Sequence, residues 1–258
     1  MKLTVKLGGI AGAHAASLAA LVQAATPDWV VVHGGGSEIA AWSDRLGLRP
    51  RVVDGLRVTD AATLDVVTAV LRGMLNARLV ATFGAAGRRA IGISGVDGGL
   101  LSASQDHRLG FVGHVTGVDV ALLDRLCADG LLPIVAPIAA DPQGQLLNVN
   151  ADEAAGAVAA ARGGRLLLLT DVAGVERDGR LIPTLDAEGA QQMLADGSAD
   201  GGMRPKLRAA ITAAEAGCEV RILDGRSATT VRAALAGAAV GTQVMKTAGV
   251  APVAGGQS

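Results

Sequence analysis

The chain of 258 residues is poor in several residue types, and each shortage argues against certain kinds of site or cellular location. It has no tyrosine, only 2% aromatic residues, and two cysteines, Cys127 and Cys218, in no metal-ligand spacing. No uninterrupted apolar run reaches the roughly 18 residues that a membrane-spanning helix needs. The opening residues lack the long apolar stretch of a secretory signal. We therefore expect a cytoplasmic protein without a membrane partner.

Charge is nearly balanced, with a formal net charge of −1. This balance gives no electrostatic reason to expect nucleic acid as a partner. The residues are 50% hydrophobic and 18% charged, which is typical of a folded chain with a substantial core. Lysine is scarce, since only Lys2, Lys6, Lys206 and Lys246 occur among 23 basic residues. Each lysine in so arginine-rich a background is a candidate for a specific role.

Short apolar runs alternate along the chain with longer alanine- and leucine-rich segments of helical period. Leu3–Leu7 and Trp29–His33 have the near-continuous apolar pattern of strands buried on both faces. From Asp60 onwards, apolar residues recur at the spacing of an amphipathic helix. The alternation predicts an α/β fold with a mainly parallel sheet covered on both faces. Because no linker divides the chain, we expect one domain, with a last edge strand around Val244 and a frayed tail at Val250–Ser258.

Glycine clusters follow the first two predicted strands. Lys6-Leu7-Gly8-Gly9 ends the first strand, and His33-Gly34-Gly35-Gly36 ends the second. Ligands of open α/β sheets bind beyond the carboxyl ends of the strands, where glycine lets backbone N–H groups approach an anion. Neither cluster matches the P-loop or the dinucleotide-binding pattern. Two such clusters on successive strands therefore indicate a phosphate site rather than two tight turns.

Three later clusters add polar side chains to this predicted site. They are Asn148–Asp152, Leu169–Val175 and Gly201–Lys206. Lys206 is predicted at a helix N-terminus, where a lysine opposes the helix dipole unless it binds an anion. Phosphoryl transfer depends more on positioning and charge neutralisation than on covalent work by the protein. The residues alone thus predict that Lys6 and Lys206 hold a transferred phosphoryl group from two sides, with Asp152 orienting them.

The same residues resemble those of the acetylglutamate kinases, in the amino acid kinase family, from Lys6 to about Met245. The motifs are Lys6–Gly9 (KLGG), Val30–Gly36 (VVVHGGG), Asp54–Asp60 (DGLRVTD), Gly92–Leu100 (GISGVDGGL), Asn148–Asp152 (NVNAD), Leu168–Val175 (LLTDVAGV) and Gly201–Lys206 (GGMRPK). Their order and spacing match the family, although Val96 and His114 stand where many relatives carry a lysine and an acidic residue. The resemblance implies a three-layer αβα sandwich, the amino acid kinase fold. It also implies transfer of the γ-phosphoryl of MgATP to the side-chain carboxylate of N-acetyl-L-glutamate, a step of arginine biosynthesis.

Carried over position by position, the resemblance implies a role for each site residue. Lys6 and Lys206 would stabilise the transferring phosphoryl group, and Asp152 would organise the two lysines. The acceptor would bind at Gly34, Gly35, Arg57 and Asn148, and Gly9 would bind the phosphoryl group. The nucleotide would contact Asp171, Val172, Ala173, Gly174, Val175, Glu176, Ser198, Ala199 and Asp200.

The resemblance also implies a cofactor, two lobes and an assembly. ATP would arrive with Mg²⁺ held mainly by its phosphates, so no metal bound by protein side chains is expected. Residues 1–150 would form an acceptor-binding lobe, and residues 151–249 a nucleotide-binding lobe, of one kinase domain. Arginine-inhibited hexamers of the family carry an extra helix before the first lysine, and the five residues ahead of Lys6 are too few for it. We therefore expect a homodimer that arginine does not inhibit, with the helix from Asp60 near its interface.

The sequence is also compatible with two other functions. A related kinase of lysine biosynthesis phosphorylates aminoadipate or glutamate linked to an acidic carrier protein, which would require basic side chains around the acceptor entrance. The candidates for such a patch are Arg45, Arg49, Arg51, Arg88 and Arg89. The other function is a non-catalytic sensor of an amino acid or nucleotide. Such a sensor would be expected to lose the lysines or the aspartate that this chain retains.

Overall fold

The computed structural model of the chain describes residues 1–8, 15–49 and 51–247. In these ranges the backbone forms sixteen strands. In chain order they are β1 (Leu3–Leu7), β2 (Trp29–His33), β3 (Val52–Val53), β4 (Leu56–Arg57), β5 (Ala90–Ser94), β6 (Leu101–Asp106), β7 (Val112–Val118), β8 (Leu132–Ala136), β9 (Ile138–Ala140), β10 (Leu146–Val149), β11 (Arg165–Thr170), β12 (Glu176–Arg177), β13 (Arg180–Leu181), β14 (Thr184–Asp186), β15 (Glu219–Asp224) and β16 (Thr242–Met245). The first two predicted strands are confirmed at their predicted bounds.

Helices alternate with these strands through the same described ranges. They are α1 (Ala15–Ala24), α2 (Gly36–Arg45), α3 (Ala61–Thr68), α4 (Asn76–Ala85), α5 (Val120–Ala128), α6 (Ala151–Arg162), α7 (Ala187–Ala195), α8 (Met203–Glu215) and α9 (Ala228–Leu235). A π-helix, Ala69–Leu75, joins α3 to α4. Short polar side chains fix the starts of several helices by accepting hydrogen bonds from N–H groups of the first turn. These caps are Asp60, Asp119, Asn150, Asp186 and Ser227.

An eight-stranded sheet forms the centre of the fold, in the order β14-β16-β15-β11-β1-β2-β8-β5. Every neighbouring pair is parallel except β15 with β16, so the predicted mainly parallel sheet is confirmed. The prediction of an edge strand around Val244 is wrong. The strand that contains Val244 lies between β14 and β15, because the short strand β14 pairs with its outer side.

Side chains alternate between the two faces of this sheet, and helices cover both faces. In β1, Leu3, Val5 and Leu7 pack against the layer of α1, α4 and α9. In β2, Val30 and Val32 belong to the opposite core, with α5, α6, α7 and α8. This arrangement confirms the three-layer αβα sandwich. It also turns the side chain of Lys6, between two inward-facing neighbours, towards the face covered by α6 and α8.

Two smaller elements stand beyond one end of the sheet. Strands β6, β7, β9 and β10 close into a small barrel, and β3 with β4 forms a separate hairpin. The hairpin turns at Asp54-Gly55, whose φ angles of 49° and 80° are both in the left-handed region. Together these elements enclose the space above the carboxyl ends of β1, β2 and β8.

The helical run Ala61–Ala85 is continuous from α3 through the π-helix to α4. By length and composition alone it is the one described segment that could cross a membrane, a test that the core helix of a globular protein also meets. Its leucine and phenylalanine side chains are buried in the interior of this protein, whereas most of its alanines are exposed. Leu71 and Leu75 pack with α2, whereas Leu79 and Phe83 pack beneath the sheet. The run was predicted as one amphipathic helix, and the π-helix within it was not predicted.

Candidate active site

Two cavities meet above the carboxyl ends of the central strands. One, of about 240 Å³, is bounded by β1, the turn after β2, the β3–β4 hairpin and the start of α6. The other, of about 360 Å³, is bounded by the turn after β11 and the loop that leads into α8. Lys6 and Asp152 line the first cavity, and Lys206 lines the second. These three side chains therefore occupy the boundary between the two cavities.

Asp152 forms ion pairs with both lysines. Its Oδ1 lies 3.0 Å from Lys6 Nζ, and its Oδ2 lies 3.6 Å from Lys206 Nζ. Lys206 Nζ also donates a hydrogen bond to the carbonyl of Gly202, at 3.2 Å. Asp152 is held at the start of α6 because the Asn150 side chain accepts a hydrogen bond from its backbone N–H, at 2.8 Å. Residues from β1, α6 and α8 are thus joined by one carboxylate.

The three charges are poorly hydrated. The side chains of Lys6, Asp152 and Lys206 are only 6%, 7% and 12% exposed. Burial lowers the pKa of Lys6 below its usual 10.5, Asp152 opposes that shift, and Lys206 adds to it. Among the described residues, Asp152 is the one carboxylate paired with both ammonium groups, and Asp171 attracts Lys6 more weakly, so an anionic ligand at the boundary would be attracted by both lysines.

The first cavity has the polar groups needed to hold a carboxylate. Arg57 donates one hydrogen bond from Nη2 to the carbonyl of Gly36, at 3.3 Å. Its Nη1 is buried and has no hydrogen-bond partner among the described residues. Asn148 donates from Nδ2 to the hydroxyl of Thr59, at 3.0 Å, and that hydroxyl donates to the Arg57 carbonyl, at 2.8 Å. Arg57 and Asn148 are therefore connected through Thr59.

The tip of the β3–β4 hairpin rests on the loop that precedes α8. A methyl group added at Gly55 would come within 2.7 Å of the Gly201 carbonyl oxygen and 3.3 Å of the Pro205 ring. Only glycine combines that close approach with a φ of 80° at low cost. The loop that presents Lys206 therefore supports one wall of the first cavity.

The glycine turn after β2 divides its backbone groups between the interior and the cavity. The N–H of Gly34 donates to the carbonyl of Leu7, at 2.9 Å, so it is not free to bind a ligand. Gly35 also lines the cavity, and its N–H has no acceptor among the described residues. Its α-carbon faces Leu71 and Leu75 so closely that an added methyl group would collide with both side chains. Of the two predicted acceptor glycines, Gly35 is the one with an N–H available.

The second cavity collects most of the predicted nucleotide residues. Those that line it are Asp171, Val172, Gly174, Val175, Glu176, Ser198, Ala199 and Asp200. Ala173 is not among the lining residues, and Gly9 lies outside the described residues. The predicted acceptor residues, Gly34, Gly35, Arg57 and Asn148, all line the first cavity. The structure thus separates the two predicted sets into two adjoining spaces.

Two residues that support these cavities were not singled out from the sequence. Thr59 is fully buried and links Arg57 to Asn148, as described above. Arg204 donates from Nη1 to the carbonyls of Leu194 and Ala199, at 3.1 and 3.3 Å, and so holds the loop that lines the second cavity. Both lie inside motifs already recognised in the sequence, but their contacts depend on segments distant in the chain.

The five arginines considered as a carrier-docking patch do not lie together. Arg88 donates to the carbonyls of Val22 and Gln23 near the end of α1. Arg89 donates to the Asp129 carbonyl at the end of α5. Both precede β5, at the amino ends of the parallel strands, whereas the cavities lie at the carboxyl ends. A patch that includes Arg88 and Arg89 at the acceptor entrance is therefore wrong.

A metal site formed by protein side chains would need several ligands in one place. Within the described ranges, no three His, Cys, Asp or Glu side chains converge in that way. Mg²⁺ in phosphoryl-transfer sites is commonly bound by one or two carboxylates together with substrate phosphates and water. Asp171, Glu176 and Asp200 are the carboxylates among the described residues that line the second cavity, where a nucleotide-bound ion could contact them.

Comparisons with known proteins agree with this geometry. Residues 1–224 match the model of the amino acid kinase family. An acetylglutamate kinase of Solibacter usitatus is 44% identical over 255 residues, which cover 95% of this chain and 99% of the relative. An acetylglutamate kinase of Afipia carboxidovorans is 46% identical over 215 residues, covering 77% of this chain and 73% of the relative.

Solved structures share the fold. The crystal structure of smu.665 from Streptococcus mutans has a TM-score of 0.81 at 25% identity, covering 94% of this chain and 98% of that one. A carbamate kinase of Giardia lamblia, at 17% identity, has a TM-score of 0.65, covers 95% of this chain and 98% of its own, and supports the fold alone. On the family match and these relatives, the chain belongs to the amino acid kinase family and, within it, to the acetylglutamate kinases.

Proposed function

We propose that the chain transfers the γ-phosphoryl group of ATP to the side-chain carboxylate of N-acetyl-L-glutamate, giving an acyl phosphate and ADP. The observation that carries the proposal is the Lys6–Asp152–Lys206 cluster at the boundary of two cavities. One cavity has the unpartnered Arg57 nitrogen that suits a carboxylate. The other has the residues that resemble nucleotide-binding segments of the family. In this arrangement an acceptor and a phosphoryl donor would meet at the two lysines.

The chemistry asks for charge neutralisation more than for proton transfer. At neutral pH the acceptor carboxylate is already ionised, so no residue has to remove a proton from it. One of its oxygens forms a bond to the γ-phosphorus while the bond from that phosphorus to the ADP oxygen breaks. Lys6 and Lys206 would balance the negative charge of the transferring group from two sides. Asp152 would hold both ammonium groups in place, which is an orienting role rather than that of a base.

The acceptor would be held through its carboxylate and its amide. The Arg57 guanidinium would pair with the carboxylate next to the acetamido group, using the Nη1 that has no partner among the described residues. Asn148, fixed by Thr59, would meet the acetamido group. The Gly35 N–H would donate at the acceptor side of the phosphoryl group, and Gly9 would bind the phosphoryl group itself. This assignment places the side-chain carboxylate nearest the lysines.

The nucleotide would occupy the second cavity, with its phosphates directed towards Lys206. Residues 171–176 and 198–200 would contact the base and ribose, and Mg²⁺ would be carried mainly by the phosphates. When bound, the ion would neutralise part of the negative charge of the nucleotide phosphates. We assign residues 1–150 to an acceptor-binding lobe and residues 151–249 to a nucleotide-binding lobe on this basis.

The test is an assay with ATP, Mg²⁺, N-acetyl-L-glutamate and hydroxylamine, which converts an acyl phosphate into a coloured hydroxamate. We expect hydroxamate and ADP in equal amounts. Product only with a carrier-linked acceptor would favour the lysine-biosynthesis kinase. Nucleotide binding without turnover of either acceptor would favour the sensor.

A pair of arginine variants tests the acceptor assignment. Arg57→Lys removes the planar fork that matches a carboxylate, so the KM for acetylglutamate should rise about tenfold or more while the KM for ATP changes little. Arg108→Lys is the matched control, because that side chain is 86% exposed and lies outside both cavities. Equal KM values for the two variants would contradict the assignment of Arg57.

We also propose a homodimer. Strand β5 ends the central sheet and is hydrogen-bonded on one side only, to β8, among the described strands. An edge strand left open in this way is a natural place for a second copy to pack, together with the adjacent helical run Ala61–Ala85. Light scattering should give twice the monomer mass of 25.7 kDa. A hexamer, or strong inhibition by arginine, would contradict the proposal.

A further inference from the structure

A buried polar pair lies directly beneath the glycine turn. His33, the last residue of β2, and Asn76, the first residue of α4, are 0% and 1% exposed. Asn76 Nδ2 lies 3.1 Å from His33 Nε2 and donates to the carbonyl of Ile134, at 2.8 Å. His33 Nδ1 lies 3.2 Å from the carbonyl oxygen of Gly34. A histidine and an asparagine, both withdrawn from water, thus connect the helical run to the turn that lines the acceptor cavity.

The partners of these two side chains determine where the imidazole proton resides. The Gly34 carbonyl can only accept, so His33 Nδ1 carries the hydrogen and donates it. The side chain of Asn76 points its nitrogen at a carbonyl, so the same NH₂ group donates to His33 Nε2, which must be unprotonated. Burial lowers the pKa of His33 to about 4, which agrees with a neutral ring. The ring is therefore held as a single tautomer with both nitrogens occupied.

The Gly34 carbonyl shares its peptide unit with the Gly35 N–H. Because a trans peptide is planar, its C=O and its N–H point in opposite directions. Since His33 binds that carbonyl from the protein interior, the Gly35 N–H is directed to the other side, where Gly35 lines the acceptor cavity. We propose that His33 and Asn76 are positioning residues that aim the Gly35 N–H at the reacting carboxylate and phosphoryl group. This inference rests on the proposed function for the identity of those groups.

Contacts on the other side of the turn support the same role. Leu71 and Leu75 press against the α-carbon of Gly35 and leave no room for a side chain there. Both belong to the π-helix, and the N–H of Asn76 donates to the Leu71 carbonyl, five residues back. A short π-helix within an α-helical run shifts the register of the residues that follow it, and such insertions are frequent at functional sites. Here the shift lets two leucines and Asn76 meet the same short turn.

The kinetic test compares two disruptive variants with one rescue and one control. Asn76→Leu and His33→Leu remove the hydrogen bonds while keeping bulk, and we expect each to lower kcat at least about tenfold with the KM for ATP within about threefold. His33→Asn should retain most of kcat, because its side-chain amide can occupy the place of Nδ1 and donate to Gly34. Leu79→Ala is the control, since Leu79 lies one turn beyond Asn76 on α4 and faces the core beneath the sheet.

Leu79→Ala should match the disruptive variants in lost stability but keep kcat. If Asn76→Leu, His33→Leu and Leu79→Ala all lose kcat in proportion to their loss of stability, the positioning role is wrong. It is also wrong if none of these three variants loses kcat. Nitrogen-15 NMR of the unmodified protein gives an answer that does not depend on any variant folding. We expect His33 as a neutral ring with the proton on Nδ1, and a proton on Nε2 would overturn the inference. If the unmodified chain forms no hydroxamate, the proposed function is contradicted instead. The His33 tautomer measured by NMR would still test whether His33 donates a hydrogen bond to the Gly34 carbonyl.

Discussion

Lowering the pH from 8 to 5 is expected to destabilise the fold through one residue, His33. Its ring is fully buried and is occupied at both nitrogens by neutral partners, the Gly34 carbonyl and the Asn76 amide. A second proton on the ring would have to displace the hydrogen bond from Asn76 and place a charge in the interior. Burial consequently lowers the pKa of His33 to about 4, from an ordinary value of 6.5.

The direction and the size of the effect follow from that difference. Between pH 4 and pH 6.5 the unfolded chain binds a proton at His33 and the native chain does not, so the free energy of unfolding rises with pH in this range. The contribution of the neutral His33 ring to the free energy of unfolding is fully present above about pH 7, and it falls as the pH drops through 6.5. At pH 5 the loss is about 2 kcal/mol relative to pH 8, and it approaches about 3 kcal/mol near pH 4. Carboxylates with lowered pKa values, such as Asp124, begin to contribute only near and below their unfolded values of about 4.

The assay is urea unfolding followed by tryptophan fluorescence at pH 8, 7, 6 and 5. The buried Trp29 is suited to report it. His33→Asn is the comparison, because it keeps a polar side chain at this position and removes the ionisable ring. We expect the free energy of unfolding of the unmodified protein to fall by about 2 kcal/mol more than that of the variant between pH 8 and pH 5. Parallel curves for the two proteins would refute the reasoning.

Three further predictions concern the site itself. Lys206→Arg should lower kcat about a hundredfold in the hydroxamate assay, because a planar guanidinium does not replace a compact ammonium between Asp152 and a phosphoryl group; near-normal turnover would remove that role. Asp152→Asn leaves two buried ammonium groups without their carboxylate, so both the melting temperature and kcat should fall, and the pKa of Lys6 should drop further. An unchanged melting temperature would contradict this. Gly35→Ala should raise the acceptor KM about tenfold by collision with Leu75. Adding Leu75→Ala to the same chain should recover part of the loss, and no recovery would point to another cause.

The layers of the fold were predictable because the spacing of apolar residues along each segment indicates which of its side chains are buried. Trp29–His33 is apolar almost throughout and was predicted at its observed bounds, since a strand between two helical layers has no solvent side. Strand β14, Thr184–Asp186, was not predicted, because it is three residues long and is mostly exposed. Only its pairing with Gln243 and its neighbours, far along the chain, makes it a strand. This pairing also explains why Val244 is not at an edge.

The candidate site was predictable where glycine clusters and lysines follow the predicted strands, and it was not predictable elsewhere. Glycine clusters and lysines at strand ends identified Lys6 and Lys206, and the structure places both beside Asp152. Asn76 had no such signal, because an asparagine within an apolar helical pattern does not show which carbonyls and which histidine it will meet. Its partners come from β2, β5 and β8, and the π-helix that brings it to them leaves no recognised trace in hydrophobic periodicity.

The position of the first strand has a consequence for biosynthesis. Strand β1 lies between β2 and β11, and Leu3 is paired with Arg165. On the ribosome, one edge of β1 can pair with β2 soon after β2 emerges. The other edge pairs with β11, which is synthesised only about 160 residues later. During that interval the nascent chain presents an open apolar edge at the centre of its future sheet. A fragment that stops near residue 150 would keep this edge permanently, so separately expressed halves are expected to be soluble only when they are made together.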